Sequence, residues 1–132
     1  MRKRRTDQQD PTPLLPLSEQ AFHVLMALVD KDHHGYGLMR EIRERTSGTV
    51  TIGAGTLYGC LKRLLAAELI EEVRDRPAPE LDDERRRYYR LTAFGARVAA
   101  AEARRLEVLV REARRKRLLD QNPGRGLRPR PA

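Results

Sequence analysis

Residues Gly53–Leu69 read GAGTLYGCLKRLLAAEL, and the fold turns on the spacing of their leucines. At 100° per residue, Leu57, Leu61, Leu64 and Leu65 fall on one side of a helix. Gly59, Lys62, Arg63 and Ala66 fall on the other, so the outward face is small and basic with nothing bulky at its centre. A helix built this way lies deep in a groove while its leucines hold the body of a domain. Gly53 and Gly55 in front of it allow close backbone approach and leave the first N–H groups available to an anion. The pattern predicts a DNA-recognition helix, with a plain amphipathic core helix as the alternative.

The 132 residues suffice for one domain with tails, and the charge of +8 points to a polyanionic partner. That charge is uneven. Residues 1–16 carry four basic and two acidic side chains, and residues 120–132 carry three and one, which leaves +4 for 17–119. Position rather than net charge must therefore carry a nucleic-acid argument. Cys60 is the only cysteine, which excludes an intrachain disulfide and a cysteine-rich zinc cluster. No apolar run approaches the length of a membrane span, and RKRRTDQQDPTP leads into no apolar signal-peptide segment. The expected location is the cytoplasm, with no membrane partner.

Around the central helix the chain divides readily. Residues 1–16, with three prolines and no periodicity, are expected to be a disordered basic arm. Ser18 caps a first helix whose stripe is Ala21, Phe22, Leu25, Leu28 and Val29, ending near Asp30. Lys31–His34 is a polar break, and a second helix runs from about Tyr36 to Arg45 with an outer face of alternating charge. Thr49–Ile52 is either a short strand or a link. Beyond Leu69 the period shifts to strands, at Ile70–Arg74 and 85–91, joined by the proline-bearing PAPELDDE. Thr92 caps a long helix over Ala93–Leu119, and residues 120–132 form a disordered basic tail. The expected fold is mainly α with a small β-ribbon: a winged helix-turn-helix over 17–91, then a dimerisation helix over 92–119. That last helix has no later element to pack against. Its stripe of Val98, Leu106, Leu109, Val110 and Ala113 is therefore read as the interface with a second copy.

Three segments carry a resemblance: HGYGLMREI at 34–42, GTLYGCLKRLLAAELI at 55–70 and RRYYRLTAFG at 86–95. In this order and spacing they resemble the signature segments of the PadR-like transcriptional regulators. The resemblance covers Leu17–Leu119, and the single helix after Thr92 is similar to the smaller subfamily in which that helix makes the dimer. It implies a homodimeric winged-helix repressor on a palindromic operator, with Tyr36 near the DNA backbone. It further implies a small-molecule effector near the dimer helices, whose identity no residue here gives. Two departures stand out. Gly59 follows Tyr58 where the family often has proline, and the acidic LDDE at Leu81–Glu84 replaces the glycine that commonly precedes the basic run of the wing. The chain has no tryptophan, so the aromatic drug-stacking pocket of some relatives is not carried over.

The candidate contacts to double-stranded DNA are Tyr36, Thr56, Tyr58, Lys62, Arg63, Arg85, Arg86 and Arg87. Lys62 and Arg63 are placed to meet phosphates or guanine edges, against a solvated pair. The hydroxyls of Thr56 and Tyr58 stand near phosphate at the helix start, although Tyr58 equally fits a packed ring with one wet end. On a strand Arg86 points opposite Arg85 and Arg87, and pairing with Asp82, Asp83 or Glu84 is the competing role. His33 and His34 beside Asp30 and Asp32 lack the i,i+4 spacing of helical zinc motifs, so no enzyme, metal or cofactor is expected. The alternative functions are a winged protein-interaction module and nonspecific nucleic-acid coating by the basic tails.

Overall fold

The computed structural model describes residues 9–73 and 87–119. A 3-10 turn at Thr12–Leu14 precedes α1 (Glu19–Asp30), β1 (His33–His34), α2 (Gly35–Arg45) and α3 (Ala54–Ala66). Strands β2 (Ile70–Val73) and β3 (Tyr88–Leu91) follow, then α4 (Ala93–Arg115). The sheet is antiparallel in the order β1-β3-β2, with Ile70 opposite Leu91 and His33 opposite Tyr89. Helices α1, α2 and α3 close over one core in which Val24, Leu25, Leu38, Ile42, Leu57, Leu61, Phe94 and Val98 are buried. The fold is the expected one: mainly helical with a small sheet, and a long helix after it.

Local chemistry explains the element boundaries. Ser18 accepts from the Ala21 N–H at 3.1 Å and Thr92 from the Gly95 N–H at 2.9 Å, each taking an otherwise unpaired first-turn donor. Helices α2, α3 and α4 each end in paired 5→2 and 6→1 bonds. For α3 the Glu68 N–H reaches the Leu65 carbonyl and the Leu69 N–H reaches that of Leu64, both at 3.0 Å. The left-handed position in this motif is Glu68, with φ of 63°, where glycine is usual. Helix α4 closes the same way at Arg117, with φ of 64°, and so stops at Arg115 instead of running to Leu119.

Several boundaries differ from those the sequence suggests. Leu14, Leu15 and Leu17 pack against the core, so the end of the expected arm is part of the fold. The polar break holds a strand, because β1 finds its partner in the distant β3. Thr49–Ile52 is a link stitched by Thr46, whose hydroxyl donates to the Ile42 carbonyl and accepts from the Val50 N–H. Of 85–91 the described strand is Tyr88–Leu91, with Tyr89 buried and Arg90 exposed. The rest of the arm, the expected wing tip and the C-terminal tail lie outside the described residues.

Helix α4 runs antiparallel to α1. Its start lies by the end of α1, where Val29 and Ala96 line one cleft, and Glu102 lies by the start of α1. Glu102 is buried yet charged, forks onto Arg105 at 2.8 and 2.9 Å, and accepts from the Leu17 N–H at 3.3 Å. The Arg105 hydrogen bonds, then that of Leu17, hold its carboxyl below the usual range in spite of burial. A depressed carboxylate stabilises the fold above its unfolded-state value of 4.5, and that contribution is lost as pH falls through the folded value. Glu102→Gln is therefore expected to cost stability at neutral pH and little in acid. Denaturation profiles of the two forms should begin to approach each other below about pH 4.5 and meet only below the lower folded-state value; a constant gap would refute the linkage.

Gly95 sets how closely α4 approaches the turn after α3. A β-carbon there would stand 2.9 Å from the Leu69 carbonyl carbon, nearer still to its oxygen, and 3.0 Å from Leu91. Those backbone atoms cannot give way cheaply, so Gly95→Ala is expected to cost about 3 kcal/mol in chemical denaturation. Gly53→Ala, at a position open to solvent, serves as the control.

Candidate nucleic-acid interface

Leu57, Cys60, Leu61 and Leu64 are buried along one side of α3, as its spacing requires. Burial pushes the Cys60 thiol above its ordinary value, so it remains a small protonated core residue. The opposite side carries Ala54, Gly55, Thr56, Lys62, Arg63 and Ala66, all exposed. Gly53 caps the helix with no side-chain hydrogen bond, so no side chain occupies the first-turn N–H groups.

The charge arrangement separates this face from the rest of the surface. On α2, Arg40 is held by Glu44 at 3.2 Å and Arg45 by Glu41 at 3.0 Å. Arg45 also donates to the His23 carbonyl on α1 at 3.1 Å. Arg90 forks onto Asp32 at 3.1 and 3.3 Å. Helix α3 contains no acidic residue, and among the described residues no ion pair engages Lys62 or Arg63. Two cations on a face of small side chains give a positive surface that no carboxylate among the described residues neutralises.

Beside α3, the start of α2 brings the tyrosines together. His34 accepts the Gly37 N–H on Nδ1 at 2.9 Å and so caps α2 with a neutral ring nitrogen. Its ring meets the edge of Tyr88 on β3, with centroids 5.2 Å apart. Tyr58 lies over Gly35: a β-carbon at Gly35 would come within 2.8 Å of Tyr58 Cζ and closer to its hydroxyl. Tyr58 is thus seated on α2 with one side wet, while Tyr36, the next residue after its seat, is 63% exposed. A groove of about 620 Å³ runs beside them, lined by residues including Lys31, His33, Tyr36, Arg40 and Tyr88. Burial and then the nearby Lys31 push the His33 pKa down, so this ring adds no charge at neutral pH.

The other candidate residues are scattered. Arg87 is described and sits 3.5 Å from Glu72 across the ribbon, a different carboxylate from those its sequence neighbourhood offers. Arg85 and Arg86 lie outside the described residues. On α4, Leu109 and Val110 are exposed, and Leu106 and Ala113 are half-buried. Val98 is a correction: it is fully buried against the chain's own core, because α1 covers that part of α4, and it has no surface to offer a second copy. The Gly35 seat and the His34 cap escape a reading of the sequence that looks for charges, although the HGYG spelling carries both. No group of three or more histidine, cysteine or carboxylate side chains suited to a metal occurs among the described residues, and no helix there is long and apolar enough to cross a membrane.

Three packed helices, a small antiparallel sheet and a long helix after them define a winged-helix protein. The chain belongs to the transcriptional regulator PadR-like family, whose model matches residues 24–101. The members of that family are transcription regulators, not enzymes. An uncharacterised protein X of Lysinibacillus sphaericus is 35% identical over 72 residues, which are 54% of this chain; the match spans 63% of that relative's length. Among solved structures, a PadR family transcription regulator of Clostridium difficile superposes with a TM-score of 0.62 at 24% identity, over 74% of this chain and 97% of that one. Bacillus subtilis PadR, solved in complex with operator DNA, has a TM-score of 0.55 at 19% identity, over 65% of this chain and 47% of that one. These likenesses carry the fold.

The seat of Tyr58 is open to a direct measurement. Gly35→Ala should destabilise the fold by about 1–3 kcal/mol by displacing the ring. Tyr58→Ala removes the ring, so the Gly35→Ala penalty should shrink in the double variant. Additive costs would mean that ring and glycine are not coupled.

Proposed function

We propose that this regulator is a cytoplasmic repressor that binds a palindromic operator as a homodimer and reads it with α3. The observation that carries the reading is the outer face of α3, where Lys62 and Arg63 stand exposed with no carboxylate partner among the described residues, while the neighbouring α2 arginines Arg40 and Arg45 are paired. Small neighbours let that face approach the floor of a major groove, so Lys62 and Arg63 reach base edges or phosphates. Tyr36, Thr56 and the wet side of Tyr58 surround them as phosphate-facing hydroxyls. The wing arginines Arg85, Arg86 and Arg87 belong to the same proposed footprint.

The second copy is supported by α4. Its inward stripe, Phe94, Val98 and Glu102, is covered by the chain itself, and the continuation of the same face is Leu106, Leu109 and Ala113. Nothing in the described chain lies over Leu109 or Val110, which are 49% and 41% exposed. An apolar continuation of a buried stripe is the pattern of a helix shared between copies. A two-fold pair presents two α3 helices to half-sites about one DNA turn apart. A small-molecule effector held near the paired α4 helices is part of this reading, without a residue that specifies its chemistry.

The test is a gel shift on a duplex selected from a random pool. Lys62→Ala with Arg63→Ala should abolish the shift and leave the solution mass of the dimer unchanged. Wild-type affinity should fall by roughly 10³-fold or more between about 50 and 200 mM salt, if the dimer engages six or more phosphates. An unchanged shift in the double variant would remove α3 as the reader. Salt-independent binding, or none, would support a winged protein-interaction module instead.

A further inference from the structure

The two cations of α3 are not equivalent. Arg63 lies back along the helix: the position of a β-carbon at Gly59, one turn earlier, is 3.6 Å from Arg63 Nη1. The guanidinium therefore rests over the bare α-carbon of Gly59 instead of projecting straight outward. Arg63 is exposed, and among the described residues no carboxylate draws it there.

We propose that Gly59 and Arg63 form one base-reading unit, in which Arg63 donates two parallel N–H groups to O6 and N7 of a guanine. Gly59 is the positioning residue that fixes which base pair is read. The inference rests on the reading of α3 as the recognition helix. The fork of a guanidinium matches a guanine edge only when its plane is held, and a head laid against the helix loses less freedom on binding than one waving in water. Lying back by one helical turn moves the charge about 5.4 Å along the axis, between one and two base-pair steps of about 3.4 Å. A large side chain at 59 thus takes the charge off the base pair it meets in the wild type. Lys62, an ammonium on a flexible stem, lacks the planar fork of a guanidinium and acts as a point charge.

The dimensions give the test its control. At 3.6 Å a single β-carbon makes ordinary van der Waals contact with Arg63, so alanine fits at 59, whereas leucine fills the space of the guanidinium. Both residues favour a helix more than glycine does, and Gly59 is half-exposed, so neither should unfold α3. The full chain, as wild type and as Gly59→Ala, Gly59→Leu and Arg63→Ala, is carried through selection from a random duplex pool. Wild type and Gly59→Ala should share a guanine preference of about 5- to 100-fold at one position of each half-site. Gly59→Leu and Arg63→Ala should lose it at that same position and keep the preferences elsewhere. Thermal melting of each variant checks folding, and Gly59→Gln, another exposed helix former, replaces leucine if melting falls. A guanine preference that survives Gly59→Leu, or a loss at a different position from that of Arg63→Ala, overturns the unit. A wild type that enriches no sequence overturns the α3 reading itself, which is a distinguishable result.

Discussion

The carbonyl of Leu69 is where three elements are pinned to one another. It accepts from the Thr92 N–H and from the Thr92 hydroxyl, both at 3.1 Å, and the α-carbon of Gly95 lies directly against it. The Thr92 hydroxyl also donates to the Glu68 carbonyl at 2.8 Å. Leu69 ends the α3 turn and leads into β2; Thr92 ends β3 and caps α4. The direction of α3 relative to α4 is thus fixed by a few hydrogen bonds within a buried turn, without a flexible linker. In the proposed dimer, that rigid corner transmits the geometry of pairing to the spacing of the two α3 helices. The left-handed backbone at Glu68 has the same origin: the turn must be tight for Leu69 to face both neighbours, and the packing tolerates a conformation that costs about 1–2 kcal/mol for a non-glycine residue.

A second constraint acts at the far side of α3, where Tyr58 sits on Gly35. This contact joins α3 to the start of α2, and the His34 cap with its Tyr88 edge joins that start to β3. The helix proposed to enter DNA is held at its end by the Leu69 corner and near its beginning by an aromatic seam. Its outer face is left with little more than backbone, methyl groups and two cations. Such a face offers little selectivity by shape, so in the proposed complex discrimination between sequences falls on where the cations are held.

Much of this was legible in the sequence. The leucine spacing of α3, the serine and threonine caps and the change of period after Leu69 are local signals, and local signals set α1, α3 and α4 to within a few residues. The exposed positions of Thr56, Tyr58, Lys62 and Arg63 follow from the same periodicity. What was not legible is non-local. A two-residue strand at His33–His34 exists only because Tyr88 and Tyr89 pair with it from more than fifty residues away. A histidine cap is outside the usual set of serine, threonine, aspartate and asparagine. Helix ends carried by Glu68 and Arg117 lack the glycine that marks them in most chains, which is why α4 reads too long. The folding of Leu14, Leu15 and Leu17 onto the core likewise depends on the buried Glu102, whose partner, the Leu17 N–H, no sequence pattern announces.

Glu102 also marks where α4 changes its task. Before it, Val98 faces the interior and belongs to the monomer; after it, Leu109 presents the same helical side to solvent. The sequence stripe reads the same on both sides of Glu102, because helical periodicity records which side is apolar and not what covers it. Coverage is decided by the length of α1, whose twelve residues begin beside Glu102 and so stop shielding α4 at that point. The carboxylate satisfied by Arg105 and the Leu17 N–H closes the end of the monomer core with a polar plug. An apolar residue at 102 would merge the core with the exposed stripe beyond and leave the Leu17 N–H without its acceptor. The buried carboxylate thereby separates the part of α4 that the chain itself covers from the exposed apolar part beyond it.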